Sequence, residues 1–183
     1  AMQLSAVFLS ILLGCMLLPR EIEKKTILTI LVRPLSRWQF LLGKALGLFA
    51  MISVVGIGLA GIMALVMWIA GAEGMQNLIF VLMGVLLESL VMLGATLLLS
   101  TFSRPILVSC MAVGIFMIGH WQSTLSQLTQ AQESESIVAV KWLTEFFLPD
   151  LEVFNWKGLL IYQDTLSYQT VAFAFVYGVG WFM

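Results

Sequence analysis

Five apolar runs leave this chain few ways to fold. They cover residues 2–18, 45–70, 76–99 and 106–121, and a fifth opens at Tyr168 and runs to Met183. A helix needs about 20 apolar residues, and at least about 17, to cross some 30 Å of hydrocarbon. In lipid every backbone N–H and C=O must be satisfied within the protein, so such runs cross as helices. The expected fold class is therefore all-α: a polytopic helical membrane protein with about five spans visible. Composition agrees. The chain is 61% hydrophobic and 10% charged, with a mean hydropathy of +1.03, whereas about a quarter of a soluble domain's residues are charged. A net charge of −1 gives no reason to expect a nucleic-acid partner. The chain begins and ends in apolar sequence, so one further span before Ala1 and the remainder of the last are expected.

Against this background the stretch 20–44 stands out. It holds six of the nine basic residues: Arg20, Lys24, Lys25, Arg33, Arg37 and Lys44. Hydrocarbon tolerates such charge poorly. Pro34 cannot continue a helix and moves Arg33 away from helical angles, so a first helix is expected over about 21–33. At about 100° per residue, Lys25, Thr26, Thr29 and Arg33 share one narrow face, and Ile27, Leu28, Ile30 and Leu31 fall opposite. Glu21 precedes Lys25 at i,i+4 in the favourable order. Too short and too charged to span, this helix should lie along the membrane surface. Ser36 and Gln39 match a capping box that starts a second helix, which enters lipid after Phe40. Electrostatics alone allows two readings. One is an anchor for anionic lipid; the other is a docking helix for a soluble partner.

The ordered set Glu21, Glu23, Thr26, Leu31, Arg33, Pro34, Ser36, Arg37, Leu41, Leu42, Gly43 and Lys44 resembles the first cytoplasmic loop of ABC-2-type permeases, the membrane subunits of a class of ABC transporters. The resemblance implies a coupling helix, with Glu21, Lys25, Thr26, Thr29, Arg33, Pro34, Ser36 and Arg37 contacting a cytosolic ABC ATPase subunit. It also implies six spans, short outward-facing helices before the last span, and pairing with a second permease copy. ATP and Mg would sit on the partner ATPase, with no cofactor or metal on this chain. A weaker similarity, over Leu148-Pro-Asp-Leu-Glu152 with Phe154-Asn155, points to the copper-enzyme maturation permease subset. The whole of 1–183 would be one transmembrane permease domain, with 20–44 as its cytoplasmic coupling loop and 122–168 as its extracytoplasmic segment.

Charge by position gives the same orientation independently. Cytoplasmic loops carry the excess of Lys and Arg. The loops after spans one and three hold seven bases: the six above and Arg104. Those after spans two and four hold Lys141 and Lys157, together with seven of the ten acids. Hence 20–44 is expected inside and 122–168 outside, in a cell inner (plasma) membrane. The outer segment should hold a polar stretch to Ser136, then an amphipathic aromatic one over 137–148, with Trp142, Phe146, Phe147 and a Lys141–Glu145 pair, ended by Pro149. A loop or short re-entrant element should follow over 150–158. Gly71 to Gly74 reads as a tight turn.

Several chemistries are missing from the sequence. Gly43-Lys44 is followed by Ala45, and Trp38 stands where a P-loop needs its first glycine, so this chain is not an ATPase by that route. A single histidine, His120, rules out the usual His-based metal clusters. Cys15 and Cys110 lie in apolar runs and read as packing residues. Glu88 is the one charge inside a span's hydrophobic interior. Such a group faces protein or water, so it lines a translocation path or dimer interface, or is a protonated side chain bonded to Ser89, Thr96 or a neighbouring helix. His120 beside Trp121 reads as an interfacial anchor. The function expected is the permease subunit of an ABC-2 exporter, coupled to ATP hydrolysis on a separate subunit. The alternatives are a stand-alone secondary transporter or channel, or a membrane scaffold. No residue pattern selects among lipid, peptide, drug, ion or sulfur species as substrate.

Overall fold

Helices in lipid gain little from hiding apolar surface from one another, so close packing and polar contacts join them. The computed structural model describes residues 2–23, 37–71, 75, 77–131, 148–156 and 168–182. These form five helices and one 3-10 turn: α1 Met2–Glu23, α2 Arg37–Ile69, α3 Asn77–Ser100, α4 Pro105–Ala131, the turn Leu151–Phe154, and α5 Tyr168–Phe182. No strand occurs among the described residues. Residues 24–33 of the helix expected over about 21–33, residues 137–147 of the aromatic stretch and residues 72–74 of the expected turn lie outside them.

Helix α3 is the centre of the bundle. It packs on α1, α2, α4 and α5 and also touches the 3-10 turn. Its buried residues accordingly fall all around it, from Leu78 and Val81 through Glu88 and Met92 to Leu97. Helix α2 is the opposite case. It packs Ala45, Leu48 and Ile52 against Leu93 and Leu97 of α3, and buries Ala60 further along. Its remaining surface is bare and apolar, with Val54 70% and Trp68 74% exposed. Exposed apolar surface on this scale marks a face built for a non-aqueous neighbour. Among the described residues two helices, Gln39–Ile69 and Asn77–Ser100, are long and apolar enough to cross a membrane, and Met2–Met16, Pro105–Trp121 and Gln169–Phe182 are shorter apolar stretches.

Helix ends follow local chemistry. Gly71 closes α2 in the left-handed region at φ 64, with its N–H donating to the Trp68 carbonyl at 3.2 Å; glycine takes this conformation without a Cβ clash. Pro105 opens α4, where its missing N–H has no helical partner to lose. Asp150 caps the 3-10 turn, its Oδ1 accepting from the Glu152 N–H at 3.0 Å. Within the helices, hydroxyls turn back on their own backbone: Ser10 Oγ to Val7 O, Ser89 Oγ to Val85 O and Thr96 Oγ1 to Met92 O, at 2.7–2.9 Å.

Two boundaries differ from the sequence expectation. The first span was expected to stop at residue 18, before a separate helix from Glu21; instead α1 continues unbroken through Pro19 to Glu23. Proline removes a single ladder bond there, and membrane helices tolerate that loss. The fourth span was expected to end at Trp121, but α4 runs to Ala131. The residues from Gln122 to Ala131 are polar yet hold no Gly or Pro, and polarity alone does not stop a helix. The cysteines also part company. Cys15 is buried at 2% exposure, while Cys110 lies exposed on the apolar surface of α4. That surface suits cysteine, which behaves as a small hydrophobe.

Candidate functional site

Three neighbouring helices each contribute a long hydrogen-bonding side chain, and the bundle brings the three together. Glu88 on α3 is fully buried, and Gln3 on α1 is 4% exposed. Gln3 Nε2 donates to Glu88 Oε2 at 2.6 Å and lies 2.9 Å from His120 Nε2 on α4. About 18 Å of helix separates Glu88 from Ser100, and about 22 Å separates His120 from Pro105, at about 1.5 Å per residue. Both therefore sit at one level, measured from the turn that joins their helices.

The Gln3 amide nitrogen is within hydrogen-bond reach of the histidine ring, and the donor and acceptor roles in that contact follow the His120 tautomer. That contact outranks the 3.6 Å separation between His120 Nε2 and Glu88 Oε1, which is beyond hydrogen-bond reach. His120 also packs against the Phe116 ring, centroids 4.6 Å apart.

The end of the bundle remote from the turn at 101–104 is plugged by residues 148–156. Leu151 and Phe154 are buried within it at 0% and 2% exposure, and Trp156 at 7%. The helices receive this segment by omitting side chains. A Cβ on Gly84 would stand 2.6 Å from Phe154 O, one on Gly119 would stand 2.9 Å from Pro149 O, and Gly178 faces the Phe154 ring. Gly84 is one turn from Glu88, and Gly119 adjoins His120, so the plug and the polar cluster lie within about one helical turn of each other along α3 and α4. The Asp150 N–H donates to Tyr177 Oη at 2.8 Å, and Trp156 Nε1 donates to Val153 O at 2.9 Å. The plug is thus held by α3, α4 and α5.

Of the residues proposed from sequence, Glu88 is placed within its own chain's bundle. Ser89 and Thr96, weighed as its partners, bond backbone carbonyls instead. Glu21 falls in the last turn of α1 and Arg37 opens α2. Lys25, Thr26, Thr29, Arg33, Pro34 and Ser36 lie outside the described residues. His120 is not the interfacial anchor expected from its neighbour Trp121; it turns inward while Trp121 remains 62% exposed. Gln3 was not singled out from sequence. The available signal was that Gln3 is the one long polar side chain in the apolar run 2–18, as Glu88 is in 76–99 apart from Gln76 and Asn77 at its start. Lys44, from the basic stretch, places Nζ 5.9 Å from the Phe40 ring one turn away on α2.

A family profile described as "ABC-2 family transporter protein" matches residues 1–179. The chain belongs to the ABC-2 transporter family. It is a membrane protein of the permease kind, and permeases of this family are membrane subunits that are not themselves catalytic. No curated protein and no solved structure matches the permease.

Proposed function

We propose that this permease is the transmembrane subunit of an exporter driven by ATP hydrolysis on a separate nucleotide-binding subunit, and that it works as a pair of copies with two such ATPases. The family match over 1–179 carries the reading. The excess of bases in 20–44 supports it by placing that stretch on the cytoplasmic side, where ATP and its Mg are bound by the partner. Lys25, Thr26, Thr29 and Arg33 form the docking face. Glu21 supports Lys25, while Pro34, Ser36 and Arg37 set the angle at which the docking helix meets α2. ATP binding closes the ATPase pair, and the docking helix passes that motion to the spans. Glu88 acts in the translocating machinery of one chain, a reading supported over a contact between copies by its neighbours Gln3 and His120 from the same chain.

A lipid anchor needs charge but no particular face, whereas a docking helix needs shape. Thr29→Trp is therefore expected to lower the ATPase retained on purification, or its turnover, by roughly tenfold, as loss of about 1.4 kcal/mol of fit would. Lys24→Gln, off that face, should do much less. Equal effects from the two substitutions, or none from Thr29→Trp, would reverse the assignment in favour of lipid anchoring.

A further inference from the structure

The polar cluster joins helices with different destinations. Helix α1 runs from Gln3 to Glu23 and so reaches the basic stretch directly. Helices α3 and α4 carry the notches, Gly84 and Gly119, in which the plug sits. Gln3 is the sole member of the cluster on α1, and its terminal amide serves both partners at once, Glu88 at 2.6 Å and His120 at 2.9 Å. Below this level α1 meets α3 through apolar side chains and one close approach, where a Cβ on Gly14 would stand 2.8 Å from Thr96 Cβ. Apolar helix surfaces can slide past one another by small steps. A bidentate amide cannot follow such a slide without breaking a directional bond.

We infer that Gln3 and His120 are positioning residues which, with Glu88, clasp α1 to α3 and α4, so that displacement at the basic stretch reaches the plug at the opposite end of the bundle. This rests on the coupled-transporter reading above. Apart from that reading, it requires only that α1 move as a rod and that the clasp be its attachment at the level beneath the plug. Neither Gln3 nor His120 needs to touch the substrate. Val153, partly buried at the plug, is the position that should report the movement.

The test uses the permease with its co-purified ATPase in nanodiscs, where both faces are accessible. Cys15→Ala and Cys110→Ala remove the native thiols, and Val153→Cys supplies the reporter. Maleimide labelling is timed with and without ATP, Mg and vanadate. The parent should label at clearly different rates in the two conditions. Gln3→Leu should lose that difference while still retaining ATPase. Gln3→Glu sets two carboxyl groups against each other and should lose it too, and Gln3→Glu combined with Glu88→Gln, which exchanges the carboxyl and the amide, should restore it. Restoration by the exchange distinguishes a clasp from a residue needed only for folding. A nucleotide-dependent difference that survives intact in Gln3→Leu overturns the proposal, as does an exchange pair that assembles but behaves like Gln3→Glu, or a parent that shows no difference. Failure of any ATPase to co-purify with the parent sinks the transporter reading itself, and is seen before labelling begins.

Discussion

Single polar atoms count for much in a chain this apolar. The Tyr177 hydroxyl accepts from the Asp150 N–H at 2.8 Å, tying the start of the plug to α5. Tyr177→Phe keeps the ring contacts with Phe154 and Phe173 and removes the hydroxyl, which serves both Asp150 and the Trp181 side chain. Leaving a half-buried amide without an acceptor costs about 1–3 kcal/mol. Exchange of the Asp150 amide with deuterium should accelerate at least about fivefold, the equivalent of about 1 kcal/mol. An unchanged rate would mean that this bond does not hold the plug. At this scale the sequence was uneven. Glu88 was visible because a charge inside a span needs a partner. Its partner was not, because Gln3 lies 85 positions away and no local spacing connects the two. His120 was misread because the neighbouring Trp121 suggests a water–lipid boundary, whereas successive helical residues point about 100° apart and so can face different surroundings.

At the scale of the helix, the glycines fall into two kinds that composition cannot separate. Gly84, Gly119 and Gly14 are notches, each with a neighbour inside contact distance, while Gly43, Gly47, Gly58 and Gly61 on α2 face nothing within 4 Å among the described residues. Gly84→Ala, whose Cβ would meet Phe154 O at 2.6 Å, should destabilise the chain by about 1–3 kcal/mol, as overpacking does. Gly61→Ala should be neutral or stabilising by up to about 1 kcal/mol, since alanine favours helix. Thermal unfolding midpoints in detergent check both, and equal shifts would contradict the packing described. The existence of the five helices was legible from apolar run length, and the start of α2 was legible from Ser36 and Gln39, which lie just before and within its first turn. The extension of α4 was hidden because polar sequence was taken as a boundary, although backbone propensity across 122–131 continues the helix. The seating of Phe154 and Leu151 was hidden as well, because a short apolar segment says nothing about which notch receives it.

Across the whole molecule, the basic stretch and the plug lie at opposite ends of α1, and the positive-inside reading of the charges is a prediction about that axis. A cysteine replacing Ser134, in a background without Cys15 and Cys110, should react with a membrane-impermeant reagent added to intact cells, and one replacing Thr29 should not. Labelling at Thr29 would invert the topology and remove the docking site from the side that holds ATP. Membrane location and family were legible from run length and from the ordered residues of 20–44. The three-helix meeting point was not, because it depends on distant contacts. Those contacts also set an order of events during synthesis. Gln3 precedes Glu88 by 85 residues and His120 by 117. At about 5–20 residues per second, α1 exists for roughly 4–17 s before Glu88 has even been made, and longer before His120 follows. For that interval its amide must remain beside the insertion machinery, reach water at the surface or borrow a temporary partner. The newborn α1 thus passes through a stage open to quality control, well before any substrate is handled.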